Sequence, residues 1–308
     1  MTTNLYTHDI FVEHDTPEGH PERADRIRAL AKAFSSEDFA DLVRIETTMA
    51  DESSYLLAHP EDYVDKIRTM SPTEGRVRVD ADTTMSPRTW ECMGHAVGGG
   101  LAAVDAVFEG QADNAFLAAR PPGHHAEKVT AMGFCLINTA AVMARHAQQK
   151  WGVEKVAIVD WDVHHGNGTQ DIFWDDPTVL YASTHQMPLF PGSGDKNETG
   201  AGNIHNAPLS PGMGSDGFRE AFRSRVLSAL DAFKPELVII SAGFDAHHRD
   251  PLANINLEAD DFDWATGKLM DVAGRHAQNR LVSLLEGGYD LQGLAESASA
   301  HLRRMLNG

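Results

Sequence analysis

Four sets of apolar residues repeat with the three- and four-residue spacing of an amphipathic helix. They are Ile27, Leu30, Ala31 and Phe34; Leu101, Val104 and Phe108; Phe218, Phe222, Val226, Ala229, Leu230 and Phe233; and Phe262, Ala265, Leu269 and Val272. Gly110 and Pro235 follow the second and third sets, where they are typical helix stop signals. The pattern predicts helices that each bury one face.

Short, continuous apolar runs lie between these helices. They cover residues 115–119, 156–159, 179–182, 237–240 and 281–285. Runs of this kind are typical of strands buried on both faces of a parallel sheet. Strands that alternate with helices predict an α/β fold with a central parallel sheet flanked by helices, and an active site at the carboxyl ends of the strands. No linker-like segment divides residues 1–308, so we expect a single domain.

Residues 184–217 differ from the rest of the chain. This segment is rich in glycine and shows little periodicity. Long segments without periodicity are typical of functional loops. We therefore expect loops over the sheet edge that shape the mouth of a pocket.

The composition excludes several classes of protein. Lys and Arg number 26 against 45 Asp and Glu, a net charge of −19, which argues against a nucleic-acid partner. Two cysteines, Cys92 and Cys135, cannot build a disulfide framework. No segment approaches the roughly 20 apolar residues that cross a bilayer, and the first residues lack a signal-peptide pattern. We expect a cytoplasmic protein with no membrane partner.

Candidate metal ligands follow two of the apolar runs. Asp160, Asp162 and His164 alternate after the run 156–159, which places them on one side. Carboxylate and imidazole groups at this spacing suit Zn²⁺ or a similar cation, although a surface polar strip is the alternative. Asp245 follows the run 237–240 and is the natural third ligand, which leaves a coordination position open for water or substrate.

Candidate acid-base groups follow two further runs. His124 and His125 come after a proline-rich turn, from which both imidazoles can reach a pocket and exchange protons near neutral pH. Tyr289 follows two glycines and can donate a hydrogen bond to a developing oxyanion. The alternatives are structural: solvated or core histidines, and an aromatic ring packed under a glycine turn.

Five motifs, in this order along the chain, resemble those of the zinc-dependent histone deacetylase family. They are Pro-Pro-Gly-His-His at 121–125, Gly-Phe-Cys at 133–135, Asp-Trp-Asp-Val-His-His-Gly-Asn-Gly-Thr at 160–169, Ala-Gly-Phe-Asp-Ala-His at 242–247 and Glu-Gly-Gly-Tyr at 286–289. The resemblance runs from His14 to Tyr289, and Trp161 and Asn167 are similar to the class II branch and its bacterial amidohydrolase relatives. It implies the arginase/deacetylase fold.

The resemblance also implies a role for each candidate residue. One zinc ion per chain would be held by Asp162, His164 and Asp245. His125 would act as general base and then acid with Asn167 as its partner, His124 would give electrostatic support and be oriented by Asp160, and Tyr289 would polarise the amide carbonyl. Because Asn167 is neutral where class I enzymes carry Asp, we expect a lower pKa for His125.

Two further groups of residues follow from the same resemblance. A structural K⁺ would be held by Asp160, Asp162, His164, Ser183 and Thr184. The substrate channel would be lined by Phe134 and Phe190 as aromatic walls, with Gly133, Leu252 and Asp82. Asp82 lies in a predicted rim loop, where it can accept from the backbone amides of a substrate.

The family includes enzymes with different substrates. The interpretation we favour is removal of acetyl or other acyl groups from the ε-amine of lysine in a peptide or protein. Acetylpolyamine or another small acylated amine is the alternative, favoured by the charge of −19. Leu252 stands where polyamine-specific relatives carry an acidic residue, which favours lysine. A pseudoenzyme would have lost a ligand or Tyr289, and none is missing. The acyl length, the oligomeric state and the use of iron in place of zinc stay open.

Overall fold

The structure is a computed structural model that describes residues 1–308. Its ten strands are β1 Thr3–Thr7, β2 Val43–Glu46, β3 Val77–Arg78, β4 Thr84–Met85, β5 Asn114–Leu117, β6 Val156–Asp160, β7 Val179–Gln186, β8 Ile204–Leu209, β9 Leu237–Ala242 and β10 Leu281–Leu285. Eight of them form one parallel sheet in the order β2-β1-β5-β10-β9-β6-β7-β8. β3 and β4 form a separate antiparallel hairpin.

Helices cover the sheet. They are α1 Asp25–Ala33, α2 Glu61–Met70, α3 Thr89–Phe108, α4 Thr139–Trp151, α5 Asn167–Ile172, α6 Ser215–Ala221, α7 Ser228–Phe233, α8 Ala259–His276 and α9 Leu291–Asn307. A π-helical segment, Phe222–Leu227, joins α6 to α7, and short 3-10 helices cover Asp9–Val12, Glu37–Phe39 and Glu52–Leu57. None of the helices is long and apolar enough to cross a membrane.

The predicted α/β fold with a parallel sheet is confirmed. The five predicted strands are five neighbours in the sheet, β5, β10, β9, β6 and β7. Every residue of these five strands is buried, which explains the continuous apolar runs that they contain. They contribute to one core cluster of 81 buried apolar residues that extends from Leu5 to Leu306.

The strands at both sheet edges were not predicted. β1 and β2 are short and contain polar residues, and β2 is largely exposed. The prediction of loops throughout 184–217 was wrong in part, because β7 continues to Gln186, β8 lies within the segment and α6 begins at Ser215. β8 mixes buried apolar residues with His205, Asn206 and Pro208, so its sequence is neither a continuous apolar run nor a regular alternation. Backbone hydrogen bonds to β7 hold this edge strand in place, so its sequence lacks the apolar run from which the buried strands were predicted.

Parallel strands bring the candidate residues to one edge of the sheet. The carboxyl ends of β5, β10, β9 and β6 are adjacent, and Asp160 at the end of β6 is level with Ser241 of β9 and Ser183 of β7. Asp290, the residue after Tyr289, caps α9 by accepting from the Gly293 N–H at 2.7 Å. The turn after β10 is thus anchored where it enters the site.

Candidate active site

Asp162, His164 and Asp245 form one buried cluster. Their ligand atoms all lie within 4.8 Å of one another. His164 Nδ1 is 3.2 Å from Asp162 Oδ1 and 3.0 Å from Asp245 Oδ2. Both aspartates are fully buried, and His164 is 8% exposed. The structure thus brings the three predicted ligands together from two loops that follow β6 and β9.

Backbone groups hold the two carboxylates in place. The Gly287 N–H donates to Asp162 Oδ2 and the Val163 N–H donates to Asp245 Oδ1, each at 2.8 Å. A Cβ at Gly287 would collide with both carboxylates, so only glycine allows this close approach. One oxygen of each carboxylate is therefore fixed by the backbone while the other faces His164.

The electrostatics of this cluster fit a cation. Burial raises the pKa of Asp245 to about 7, and the neighbouring Asp162 adds to the shift. Although burial alone would lower it, hydrogen bonds to the two aspartates raise the pKa of His164 to about 10. Two buried carboxylates of like charge are costly without a positive partner. Two carboxylate oxygens and one imidazole nitrogen are a donor set that Zn²⁺ binds.

His124 lies beside the cluster. Its Nδ1 is 3.0 Å from Asp160 Oδ2, and its Nε2 is 3.8 Å from Asp162 Oδ2. Burial opposes protonation, but the two carboxylates raise the pKa of His124 well above its usual value. The Tyr181 hydroxyl also donates to Asp160 Oδ2, at 3.1 Å. His124 is thus a positively polarised group next to the predicted metal ligands.

His125 has the opposite character. Burial, with His124 and His164 nearby, holds its pKa well below the usual value, so the imidazole is neutral. Its Nδ1 is 2.8 Å from Asn167 Oδ1, and its ring packs edge-on against Phe190 with centroids 5.2 Å apart. A neutral imidazole at this place is suited to accept a proton.

A pocket of about 260 Å³ opens above these histidines. It is lined by Asp82, His125, Gly133, Phe134, His164, Leu189, Phe190, Leu252 and Tyr289. All five predicted channel residues are among them, whereas Leu189 was not predicted. A larger groove of about 530 Å³ is lined mainly by residues of α8 and includes none of the predicted site residues.

The backbone at Gly133 and Phe134 shapes one wall of this pocket. Both residues have positive φ, +57° and +68°. A Cβ at Gly133 would enter the His125 ring, and the Phe134 N–H donates to the buried Thr83 Oγ1 at 3.0 Å. The Phe134 ring packs edge-on against His20, with centroids 4.7 Å apart. Thr83 follows Asp82 in the β3–β4 turn, so the predicted rim loop supports the aromatic wall.

Tyr289 lines the same pocket, and its backbone is held by a residue that the sequence did not reveal. Asp250 Oδ2 accepts from the Tyr289 N–H at 2.7 Å and from the Asp290 N–H at 3.3 Å. The Arg26 guanidinium lies 5.1 Å from the centre of the Tyr289 ring. The available signal for Asp250 was its place before Pro251 in the segment that follows Asp245.

Glu286 was also missed as a functional residue. Its Oε2 accepts from the Gly123 N–H at 2.8 Å and the His124 N–H at 3.2 Å, and Ser241 Oγ donates to Oε1 at 3.1 Å. Burial raises the pKa of Glu286 to about 7. This carboxyl group joins the turn after β5 to β9 and β10. A glutamate directly after the buried run 281–285 was the available signal.

The residues predicted to hold K⁺ lie on the neighbouring strands β6 and β7 and in the loop that follows β6. Asp160 is level with Ser183, whose Oγ is 2.8 Å from His185 Nδ1. Thr184 Oγ1 is buried and has no hydrogen-bond partner. A buried oxygen without a partner is a free ligand atom, as a cation site requires.

A second cluster, formed by His247, His248 and Glu258, lies at the surface, where His248 and Glu258 are exposed. The two imidazole rings are 4.4 Å apart and inclined by only 33°. His248 Nδ1 lies 3.2 Å from Glu258 Oε1, an ion pair between exposed side chains that needs no metal. The cluster at Asp162, His164 and Asp245 is therefore the candidate metal centre.

Comparison with known proteins gives the family. The histone deacetylase domain matches residues 20–305. The chain belongs to the histone deacetylase family. The chain is 38% identical over 285 residues to a histone deacetylase-like amidohydrolase of Pseudomonas aeruginosa, and the match covers 91% of this chain and 75% of the relative. It is 36% identical over 300 residues to a probable deacetylase of Archaeoglobus fulgidus, covering 95% and 83%.

The fold of the chain is also similar to that of a solved structure. The crystal structure of the HDA15 HD domain superimposes with a TM-score of 0.94 at 35% identity, covering 99% of this chain and 88% of that one. The deacetylase family is a hydrolase family and is generally metal-dependent. The protein is therefore an enzyme of the deacetylase and amidohydrolase type.

Proposed function

We propose that residues 1–308 form one catalytic domain that removes acetyl or other acyl groups from the ε-amine of lysine in a zinc-dependent reaction. One observation carries this proposal. A neutral His125, the ligand His164 and Tyr289 line one narrow pocket whose walls are Phe134 and Phe190. Such a pocket holds a linear apolar chain and presents its far end to acid-base and metal-ligating groups.

Asp162, His164 and Asp245 would hold one Zn²⁺. Their donor atoms, burial and spacing support this assignment. When bound, the ion supplies a Lewis acid that polarises the amide carbonyl and makes the attacking water more acidic. For the proposed K⁺ site at Asp160, Asp162, His164, Ser183 and Thr184, the support is the unpaired Thr184 oxygen.

Three side chains would move protons and stabilise charge. His125 Nε2 accepts the proton of the attacking water and then returns it to the departing amine, while its Nδ1–H donates to Asn167. Burial and the nearby Asp162 and Asp245 raise the pKa of Tyr289 well above its usual value, so its hydroxyl stays a hydrogen-bond donor. Tyr289 and His124, which Asp160 orients, would stabilise the oxyanion.

The pocket walls support a lysine substrate. Phe134 and Phe190 can pack on the methylenes of an acyl-lysine side chain, and Phe190 is 41% exposed at the mouth. The Asp82 carboxylate at the rim can accept from the backbone amides of a peptide. Leu252 offers no charge to a secondary ammonium, which disfavours a polyamine.

A small acylated amine is the second candidate, because the net charge of −19 steers cations toward the protein. The test compares kcat/KM for an acetyl-lysine peptide and for acetylputrescine, using zinc-loaded protein. We expect the peptide to be the better substrate. A higher kcat/KM for acetylputrescine would contradict the lysine assignment, and replacing Leu252 with Glu should shift the preference toward the polyamine.

A further inference from the structure

Glu127 lies behind the catalytic histidine in a continuous chain of hydrogen bonds. His125 Nδ1 is 2.8 Å from Asn167 Oδ1, and Asn167 Nδ2 donates to Glu127 Oε1, also at 2.8 Å. Glu127 and Asn167 both line a cavity of about 290 Å³ that shares no lining residue with the substrate pocket. Two side chains, Glu127 and Asn167, therefore connect this second cavity to the proposed general base.

The carboxamide of Asn167 could not orient His125 by itself. An amide presents an acceptor and a donor of similar size, and a flip of the group exchanges them. With Oδ1 toward His125, the imidazole must carry its proton on Nδ1. With Nδ2 toward His125, the proton must be on Nε2 and the base is lost. Something other than Asn167 must therefore select between the two orientations.

Glu127 has the chemistry that such a selection needs. An ionised carboxylate only accepts hydrogen bonds, so it must face Asn167 Nδ2 and would repel Oδ1. This fixes Oδ1 toward His125, which in turn must hold its proton on Nδ1. The lone pair then lies on Nε2, the nitrogen that accepts a proton in the proposed reaction. Met132 Sδ, 3.3 Å from Asn167 Nδ2, is a weak acceptor that favours the same orientation.

We propose that Glu127 is a positioning residue that sets the tautomer of His125 through Asn167. The inference rests on the proposed function in so far as His125 is the general base. The Asn167 amide needs the Glu127 carboxylate to fix its orientation, whereas an aspartate at 167 presents an acceptor oxygen in either orientation. With Asp at 167, Glu127 would face a second carboxylate at hydrogen-bond distance and become unfavourable.

The kinetic test uses four variants. Glu127→Gln keeps the size of the side chain but can present either oxygen or nitrogen, so Asn167 is free to flip. We expect kcat/KM for the acyl substrate to fall about tenfold, mainly through kcat. The matched control is Asp171→Asn, which removes a carboxylate from the same cavity without touching Asn167 and should leave activity unchanged. In the Asn167→Asp background, adding Glu127→Gln should instead raise kcat/KM.

The effect of Glu127→Gln on kcat/KM should therefore have opposite signs in the two backgrounds, which a general structural role of Glu127 would not produce. A loss of the same size in both backgrounds, or no loss in the native background, would overturn the proposal. An enzyme without turnover on any acylated amine would contradict the proposed function instead.

A second readout does not depend on activity. NMR of the full-length protein with ¹⁵N-labelled histidine reports which ring nitrogen of His125 carries the proton. We expect Nδ1–H in the native protein and in Asp171→Asn, and a mixture that includes Nε2–H in Glu127→Gln. An unmixed Nδ1–H form in Glu127→Gln would overturn the assignment of Glu127, whatever the substrate proves to be.

Discussion

Gly287 donates its backbone N–H to Asp162 Oδ2 at 2.8 Å and leaves no room for a side chain between itself and the carboxylates. The turn after β10 therefore packs directly on a loop that follows β6. This contact fixes one of the proposed metal ligands from a segment 125 residues away in the sequence. The proposed metal centre depends on the backbone as much as on its ligands.

Replacing Gly287 with Ala should weaken zinc binding at least tenfold. The added methyl group must displace Asp162, Asp245 or the turn itself. Zinc affinity measured against a competing chelator checks this. The control is Gly267→Ala in α8, where a Cβ meets nothing closer than 3.5 Å and alanine favours the helix. Equal zinc affinities in the two variants would contradict a role of Gly287 in holding the proposed ligands.

The predicted ligands were accessible from the sequence because each follows an apolar strand. Asp162 and Asp245 lie within three residues of a fully buried strand, where polar side chains have few structural explanations. Thr83, Glu127 and Asp250 lie in loops without periodicity. Their partners Phe134, Asn167 and Tyr289 are distant along the chain, and one sequence contains no signal for such pairs. Only the folded geometry reveals these supporting contacts.

Tyr289→Phe should lower kcat about 100-fold or more, because the phenol is the proposed donor to the oxyanion. Zinc content and KM should change little. Tyr55→Phe is a matched control: its hydroxyl is buried and has no hydrogen-bond partner, so its loss should leave kcat unchanged. Steady-state kinetics on an acetyl-lysine peptide decides. A Tyr289→Phe enzyme with native kcat would remove the phenol from the mechanism.

Thr83→Val should raise KM for an acetyl-lysine peptide several-fold with a smaller effect on kcat. Valine has the same shape but cannot accept the Phe134 N–H, so the aromatic wall loses its support while His125 is untouched. Thr83→Ser keeps the acceptor and should behave like the native enzyme. If Val and Ser variants have the same KM, the hydrogen bond does not position Phe134.

Acid should destabilise the fold through buried neutral histidines. Burial lowers the pKa of His301 to about 3 and that of His59 to about 4, against an ordinary value of 6.5. At pH values between the folded pKa of each histidine and 6.5, the unfolded chain binds more protons than the folded chain. The contribution of these two histidines to stability is therefore fully present above about pH 6.5 and is lost as the pH falls toward 4, by about 1.4 kcal/mol per pH unit for each histidine.

His301→Gln tests this dependence on pH. Glutamine does not titrate and can still reach Thr266 Oγ1 or Ser283 Oγ, the two partners of the imidazole. The free energy of unfolding, measured by denaturant titration at several pH values from 4.5 to 6, should depend less steeply on pH in this variant. An unchanged slope would mean that His301 already binds a proton in the folded state.

Turnover of an acetyl-lysine peptide by zinc-loaded protein, compared between the native chain and His125→Ala, tests the central claim most directly. We expect the native protein to release acetate. His125→Ala should bind as much zinc but lose at least about 100-fold in kcat. A His125→Ala variant that hydrolyses the peptide at the native rate would contradict the assignment of His125 as general base.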